Sequence, residues 1–288
     1  MVIKVSRLAK ASVCALAFLL AGFLIFALSR PVVTADGKED GIPVPIVMYH
    51  FILADTSRSG DYIITPAQFE ADLKYLQEKG YHTVVMSDLI NYVHYGTPLP
   101  EKPVVLSFDD GYYNNYLYAY PLLQQYNMKA VISIIGSQAD RYTELGENHP
   151  AYSHCTWDQL REMADSGLVE IQNHTYDLHT TNNGRKGCAK KPGETEEAYR
   201  KILTDDVMKL QKKIEENLGF LPNTFTYPFG SFTKETKEII RALGFQATLS
   251  CENGISKITS SPNSLFMLKR FLRTERAGVA QYLKNLEQ

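Results

Sequence analysis

Val104-Val105-Leu106-Ser107-Phe108-Asp109-Asp110-Gly111 drives an apolar run straight into two adjacent carboxylates. The run reads as a strand buried on both faces, the kind found in parallel sheets. Adjacent carboxylates at a strand end repel each other unless a cation or a proton comes between them. A solvated Asp-Gly turn is the plain alternative, but a turn needs no second Asp.

Three more apolar runs end the same way. Val44 to Tyr49 leads into His50, Leu168 to Ile171 into His174 and His179, and Thr224 to Tyr227 into Pro228-Phe229-Gly230. Further strand-like runs lie at 83–86, 130–135, 245–249 and 266–268. Helices separate them. Thr65-Pro66-Ala67-Gln68 and Thr156-Trp157-Asp158-Gln159 are capping boxes, and patterns at 196–218 and 233–243 stop at Gly219 and Gly244. Strands alternating with helices from Val44 to the C-terminus predict one distorted (β/α) barrel of seven to eight parallel strands. A doubly wound open sheet is the runner-up, but no Gly-x-Gly-x-x-Gly follows any strand. In such a barrel the chemistry sits at the C-terminal ends of strands, where all four polar clusters fall.

His174 and His179 are five positions apart. That spacing does not share a helix face, and along a strand it points the rings to opposite sides. If both serve one site, a loop must carry them. One Asp with two histidines makes a metal set with open positions for water and substrate, and leaves the second Asp free as a base.

The first thirty residues differ from the rest. Lys4, Arg7 and Lys10 precede Ala11 to Leu28, a run without charge, and Arg30 closes it. As a helix the run spans about 27 Å, enough for a bilayer core with small adjustments. It reads as an uncleaved membrane anchor (1–30) with the functional part outside the cytoplasm. A cleaved signal segment ending near Val33-Thr34-Ala35, which would leave a secreted domain, is the alternative. Residues 31–43 read as a linker and 44–288 as the functional domain. The net charge of −2 becomes −6 once the four basic residues of 1–30 are set aside, which is no footprint for nucleic acid. Cys155, Cys188 and Cys251 permit one disulfide in an exported domain, with the pairing open. The basic stretch Arg185 to Glu194 reads as solvated surface, and His149, His154 and Cys155 as a surface loop or part of a disulfide.

Ser107-Phe108-Asp109-Asp110-Gly111 and His174-Thr175-…-His179 together resemble the first two motifs of polysaccharide deacetylases, the NodB-homology or family-four carbohydrate esterases. The five-residue histidine spacing is similar to the branch that deacetylates poly-β-1,6-N-acetylglucosamine. The resemblance covers about Val44 to the C-terminus. It implies Asp109 as catalytic base and Asp110, His174 and His179 as ligands of a divalent metal, zinc first, with cobalt or nickel as options. No histidine follows His179. Ile46-Val47-Met48-Tyr49-His50 is instead similar to the branch's permuted arrangement, in which an N-terminal histidine is the catalytic acid. Phe225-Thr226-Tyr227-Pro228-Phe229-Gly230 stands at the third motif, implying Pro228, Phe229 and Gly230 as the oxyanion and substrate loop. Thr226 occupies the position of the family's arginine, which orients the base; Arg270 or Arg273 is the candidate replacement.

The function implied is metal-dependent removal of N-acetyl groups from N-acetylglucosamine-containing polysaccharide, releasing acetate. Tyr112 and Tyr113 are candidate sugar contacts, while the rest of the tyrosine-rich run to Tyr120 fits core packing. The rivals are an O-acetyl (xylan-type) esterase, a non-catalytic carbohydrate-binding relative and a non-haem iron oxygenase. The last needs only one carboxylate.

Overall fold

The computed structural model describes residues 41–55, 57–58 and 60–284. Expectations about the membrane run and the cleavage site lie outside the described residues. Among the described residues, no helix is long and apolar enough to cross a membrane.

Strand β1 (Ile42–Val44) pairs antiparallel with β11 (Ser256–Ile258). The stretch expected to be a linker therefore already belongs to the domain at Ile42. The main sheet is parallel throughout. Its order is β10 (Ala247–Leu249), β9 (Thr224–Thr226), β8 (Val169–Asn173), β7 (Ala130–Ile134), β6 (Pro103–Asp110), β2 (Ile46–Tyr49) and β12 (Phe271–Leu272). β5 (His82–Thr83) joins the start of β6. The sheet curls until its edges approach. Leu268 makes a parallel bridge to Leu249 of β10, and three residues later Phe271 pairs with Val47 of β2. Segment 268–272 thus spans the seam between the first and last strands.

Two strand expectations need correction. Of the 83–86 run only Thr83 is strand, paired with His82 before it, because Val85 is the N-cap of a helix over Met86–Tyr95. The final strand is Phe271–Leu272 rather than 266–268, which contributes a single bridge. The helices keep their expected ends. Thr65 and Thr156 close capping boxes on Gln68 and Gln159, and the long helix Glu196–Leu218 ends at Gly219 with φ +81°.

β6 is buried along its whole length. Val104, Leu106 and Phe108 pack into one apolar cluster and Val105 into another, the alternation of a strand covered on both faces. The Val105 face continues through Ser107 to Asp109, so the barrel side turns from apolar to polar toward the strand's C-terminal end. The Ser133 and Thr226 hydroxyls, 2.7 Å apart, extend this polar layer across β7 and β9.

Candidate active site

Neighbouring strand residues ordinarily face opposite sides, yet Asp109 and Asp110 reach one cleft. The backbone explains it. Asp110 has φ +72° and Gly111 +73°, so the chain swings round at the second carboxylate. A left-handed non-glycine residue carries strain of the kind that gathers at functional sites. At position 111 a Cβ would stand 2.9 Å from Ile134 Cγ2, which leaves room only for glycine.

A loop does carry the histidines. Beyond β8, buried Thr175 takes φ +73°. Asp206, on helix Glu196–Leu218, then accepts the N–H groups of Tyr176 and Asp177, each at 2.8 Å. The bend brings the imidazole centroids of His174 and His179 to 5.0 Å. Asp110 Oδ1 lies 3.5 Å from His174 Nε2 and 3.2 Å from His179 Nε2. His174 Nδ1 donates to the Thr226 carbonyl at 2.8 Å. That bond fixes the tautomer and aims the Nε2 lone pair at Asp110.

These three residues fit a small divalent cation. Their donor atoms lie within 4.8 Å of one another. Asp110 Oδ1 is buried without a hydrogen-bond donor among the described residues, an arrangement costly to leave unfilled. Ligands at ~2.0–2.1 Å in a tetrahedron stand about 3.3 Å apart, close to the two separations seen. Burial alone would raise the Asp110 carboxyl pKa; the imidazoles of His174, His50 and His179 hold it far below the usual range. Burial would lower His174, but Asp110 and Asp109 raise it overall. His179 is lowered, by burial and then by His174.

Asp109 meets a different partner. Arg270 Nη1 and Nη2 donate to its two carboxylate oxygens at 2.7 and 2.9 Å, a bidentate fork. Arg270 is itself fully buried and donates through Nε to the Ser250 carbonyl at 2.7 Å. Burial raises the Asp109 carboxyl, and the charges of Arg270 and His174 more than offset it, leaving an ionised group. Of the two candidate arginines, Arg270 and not Arg273 reaches Asp109. Arg273 is used elsewhere, against Asp72 at 2.6 Å. His50 Nε2 stands 3.9 Å from Asp109 Oδ2. Burial lowers its pKa, partly countered by the two aspartates.

The cleft around these groups measures about 490 Å³. Phe229, with φ +56°, lines it and lies 4.2 Å from the His179 ring. Pro228 and Gly230 are not on its wall; they hold the turn from behind, Gly230 against Cys251 and Pro228 against Gly187. Tyr112 lines the cleft, stacked on Phe51 at 3.7 Å. Tyr113 does not: it sits 6.1 Å from the Tyr116 ring, outside the cleft wall. Sequence reading missed Phe51, Tyr62, Lys186 and Cys251, which also line the cleft. Lys186 had a signal in the basic stretch, but that stretch is not simply solvated. Arg185 is buried against Glu194 at 2.5 Å and Cys188 is sealed from solvent. The His149–Cys155 stretch is likewise no open loop, since the His154 ring lies 4.6 Å from Tyr112 and Cys155 is buried. Cys155, Cys188 and Cys251 are all free thiols.

The comparisons with known proteins meet this geometry. The sequence profile for polysaccharide deacetylase matches residues 96–248, which takes in Asp109, Asp110, His174, His179 and Phe229. The Bacillus subtilis protein YxkH, named for the same family, is 33% identical over 217 residues, covering 75% of this chain and 67% of its own. The chain belongs to the polysaccharide deacetylase family. This deacetylase-family chain is also 30% identical over 212 residues to the poly-β-1,6-N-acetyl-D-glucosamine N-deacetylase of Escherichia coli K12. That match covers 66% of the chain but only 32% of the relative, so the chain spans about a third of that protein's length. Among solved structures, a de-N-acetylase from Aggregatibacter actinomycetemcomitans superposes with a TM-score of 0.72 at 27% identity, covering 84% of this chain and 99% of the other. The curled parallel fold is therefore the family's fold.

Proposed function

We propose that this member of the family is a metal-dependent N-deacetylase of polysaccharide containing N-acetylglucosamine, with poly-β-1,6-linked polymer as the first substrate to test. The observation that carries the reading is the placement of Asp110, His174 and His179 around one point, beside a second carboxylate locked by Arg270. The names of the Escherichia coli and Aggregatibacter relatives support the amide over the ester.

Asp110, His174 and His179 would hold the divalent cation, zinc, cobalt or nickel, which would acidify a water and polarise the acetyl carbonyl when bound. Asp109, kept ionised by Arg270, accepts the proton of the attacking water through a lone pair that the fork leaves open. Arg270 holds that carboxylate in one orientation while it does so. The Phe229 N–H, on the turn beside His179, is the donor assigned to the oxyanion. An amide nitrogen departs only after protonation, and His50, close to Asp109, delivers that proton. Tyr112 and Phe51 form an aromatic wall suited to a sugar face. The basic-flanked run 11–28 leads us to place this cleft outside the cytoplasm, at the membrane surface.

The test uses the full-length chain with β-1,6- and β-1,4-linked N-acetylglucosamine oligomers, peptidoglycan and acetylated xylan. Acetate is measured with chelator and with added zinc, cobalt or nickel. Chelator-sensitive release from an N-acetylated oligomer is expected. Release from xylan alone would make the chain an O-acetyl esterase, and no release from any substrate would leave a binding relative.

A further inference from the structure

His50 carries the acid role in this reading, yet its ring is poorly tethered. Nδ1 is buried with no hydrogen-bond partner among the described residues, and Nε2 faces Asp109 Oδ2 at 3.9 Å, beyond hydrogen-bond reach. The ring meets Tyr62 edge-on at 4.7 Å. His50 itself has no rung in the main sheet, because the β2–β6 ladder has its last at Tyr49–Phe108 and the short pair of β3 (Phe51–Ile52) with β4 (Ile63–Ile64) begins one residue later. Where the ladder stops, two amide side chains take over. Asn115 Nδ2 donates to the His50 carbonyl at 2.8 Å, and the Ile52 N–H donates to Asn114 Oδ1 at 2.9 Å. A 3.1 Å bond from Asn115 Nδ2 to Asn114 Oδ1 ties the pair together, and Asn114 Nδ2 anchors it to the Pro150 carbonyl at 2.9 Å.

Both asparagines are buried, at 0% and 1% exposure; Asn114 bonds through both ends of its amide, and Asn115 bonds through Nδ2 while its Oδ1 has no partner among the described residues. They follow Asp110 within five positions, so the strand exit that presents the two carboxylates also carries the clamp. The clamp therefore ties the His50 main chain to the strand exit that carries Asp109, where no ring hydrogen bond does so and the neighbouring Phe51 N–H is bonded to Tyr62 instead.

We propose that Asn114 and Asn115 are positioning residues that hold His50 in register with Asp109; the proposal rests on the acid role given to His50 above. The experiment is a double-mutant cycle on the full-length chain, with β-1,6-linked N-acetylglucosamine oligomer as the probe. Asn115→Ala is expected to lower kcat by ~10–100-fold, the effect of misplacing a reacting group by about 1 Å, with KM little changed. The loss is expected to be smaller on p-nitrophenyl acetate, whose leaving group departs without protonation. In a His50→Ala background the same substitution is expected to have no further effect. Losses that multiply in the double variant, or an undiminished kcat in Asn115→Ala, would overturn the clamp while leaving His50 as acid. An undiminished kcat in His50→Ala would remove the acid assignment itself, and the clamp with it. If Asn115→Ala does not fold, Asn115→Ser goes through the same cycle.

Discussion

Arg270 stands 161 residues beyond Asp109 in sequence, and its guanidinium closes on both oxygens of that carboxylate. Both partners are buried, so removing one strands a charge, at a cost of ~3–5 kcal/mol. Arg270→Met is expected to lower the urea midpoint accordingly and to abolish acetate release. Arg270→Lys keeps the charge but not the fork. It is expected to recover part of the stability and little of the activity. Equal activity in Arg270→Lys and the parent chain would remove the orienting role.

The two aspartates are expected to separate cleanly. Asp109→Asn loses turnover by ~10²–10⁴-fold, the worth of a general base, and retains metal. Asp110→Ala loses both. Metal content after dialysis, read by plasma mass spectrometry beside acetate release, checks the split. Equal loss of metal in the two variants would contradict the assignment.

His154 sets an acid limit on stability. Burial lowers its pKa to about 4 from an ordinary value of 6.5. A depressed group contributes stability that is present above the unfolded pKa and lost as pH falls through the folded one. The window is therefore about pH 6.5 down to 4, and the contribution at stake is about 3 kcal/mol at most. His154→Gln is expected to flatten the fall in urea midpoint across that window. A curve identical to the parent's would show that His154 titrates normally in the fold.

Gly187 supports the Phe229 turn from behind. It has φ +57°, and a Cβ there would stand 2.6 Å from the Pro228 carbonyl oxygen. Gly187→Ala is expected to cost more than ~1 kcal/mol through the left-handed backbone, and to displace Phe229. Kinetics should show a rise in KM together with a fall in kcat, and thermal unfolding should show the lower stability. Unchanged kinetics at reduced stability would detach the turn from the chemistry.

Much of the site was legible because polar clusters follow strands β2, β6, β8 and β9, and a parallel barrel collects such strand ends on one rim. The backbone that makes the cluster work was not. Nothing in the residue types announced left-handed geometry at Asp110 or Thr175, and those two turns decide where a carboxylate and an imidazole point. Arg270 and Arg273 were equally eligible because β12 has only two residues, too few to display an alternation. Their separate fates depend on register: Arg273 donates its N–H to the Met48 carbonyl and turns its side chain to Asp72. Tyr113 was misjudged because the chain does not enter a regular helix after Gly111. A π-turn at Asn115–Ala119 precedes the helix at Tyr120, shifting which rings face the cleft. The stretch from Arg185 was misjudged by charge alone, since its arginine is consumed by Glu194 inside the fold.

The seam of the ring has a bearing on biogenesis. Arg270 lies between Leu268, which touches one margin of the sheet, and Phe271, which touches the other. During synthesis Asp109, Asp110, His174 and His179 leave the ribosome before it. The Asp109 carboxylate has no guanidinium to meet until that late segment docks, so its charge is paired by the same segment that joins the two margins of the sheet.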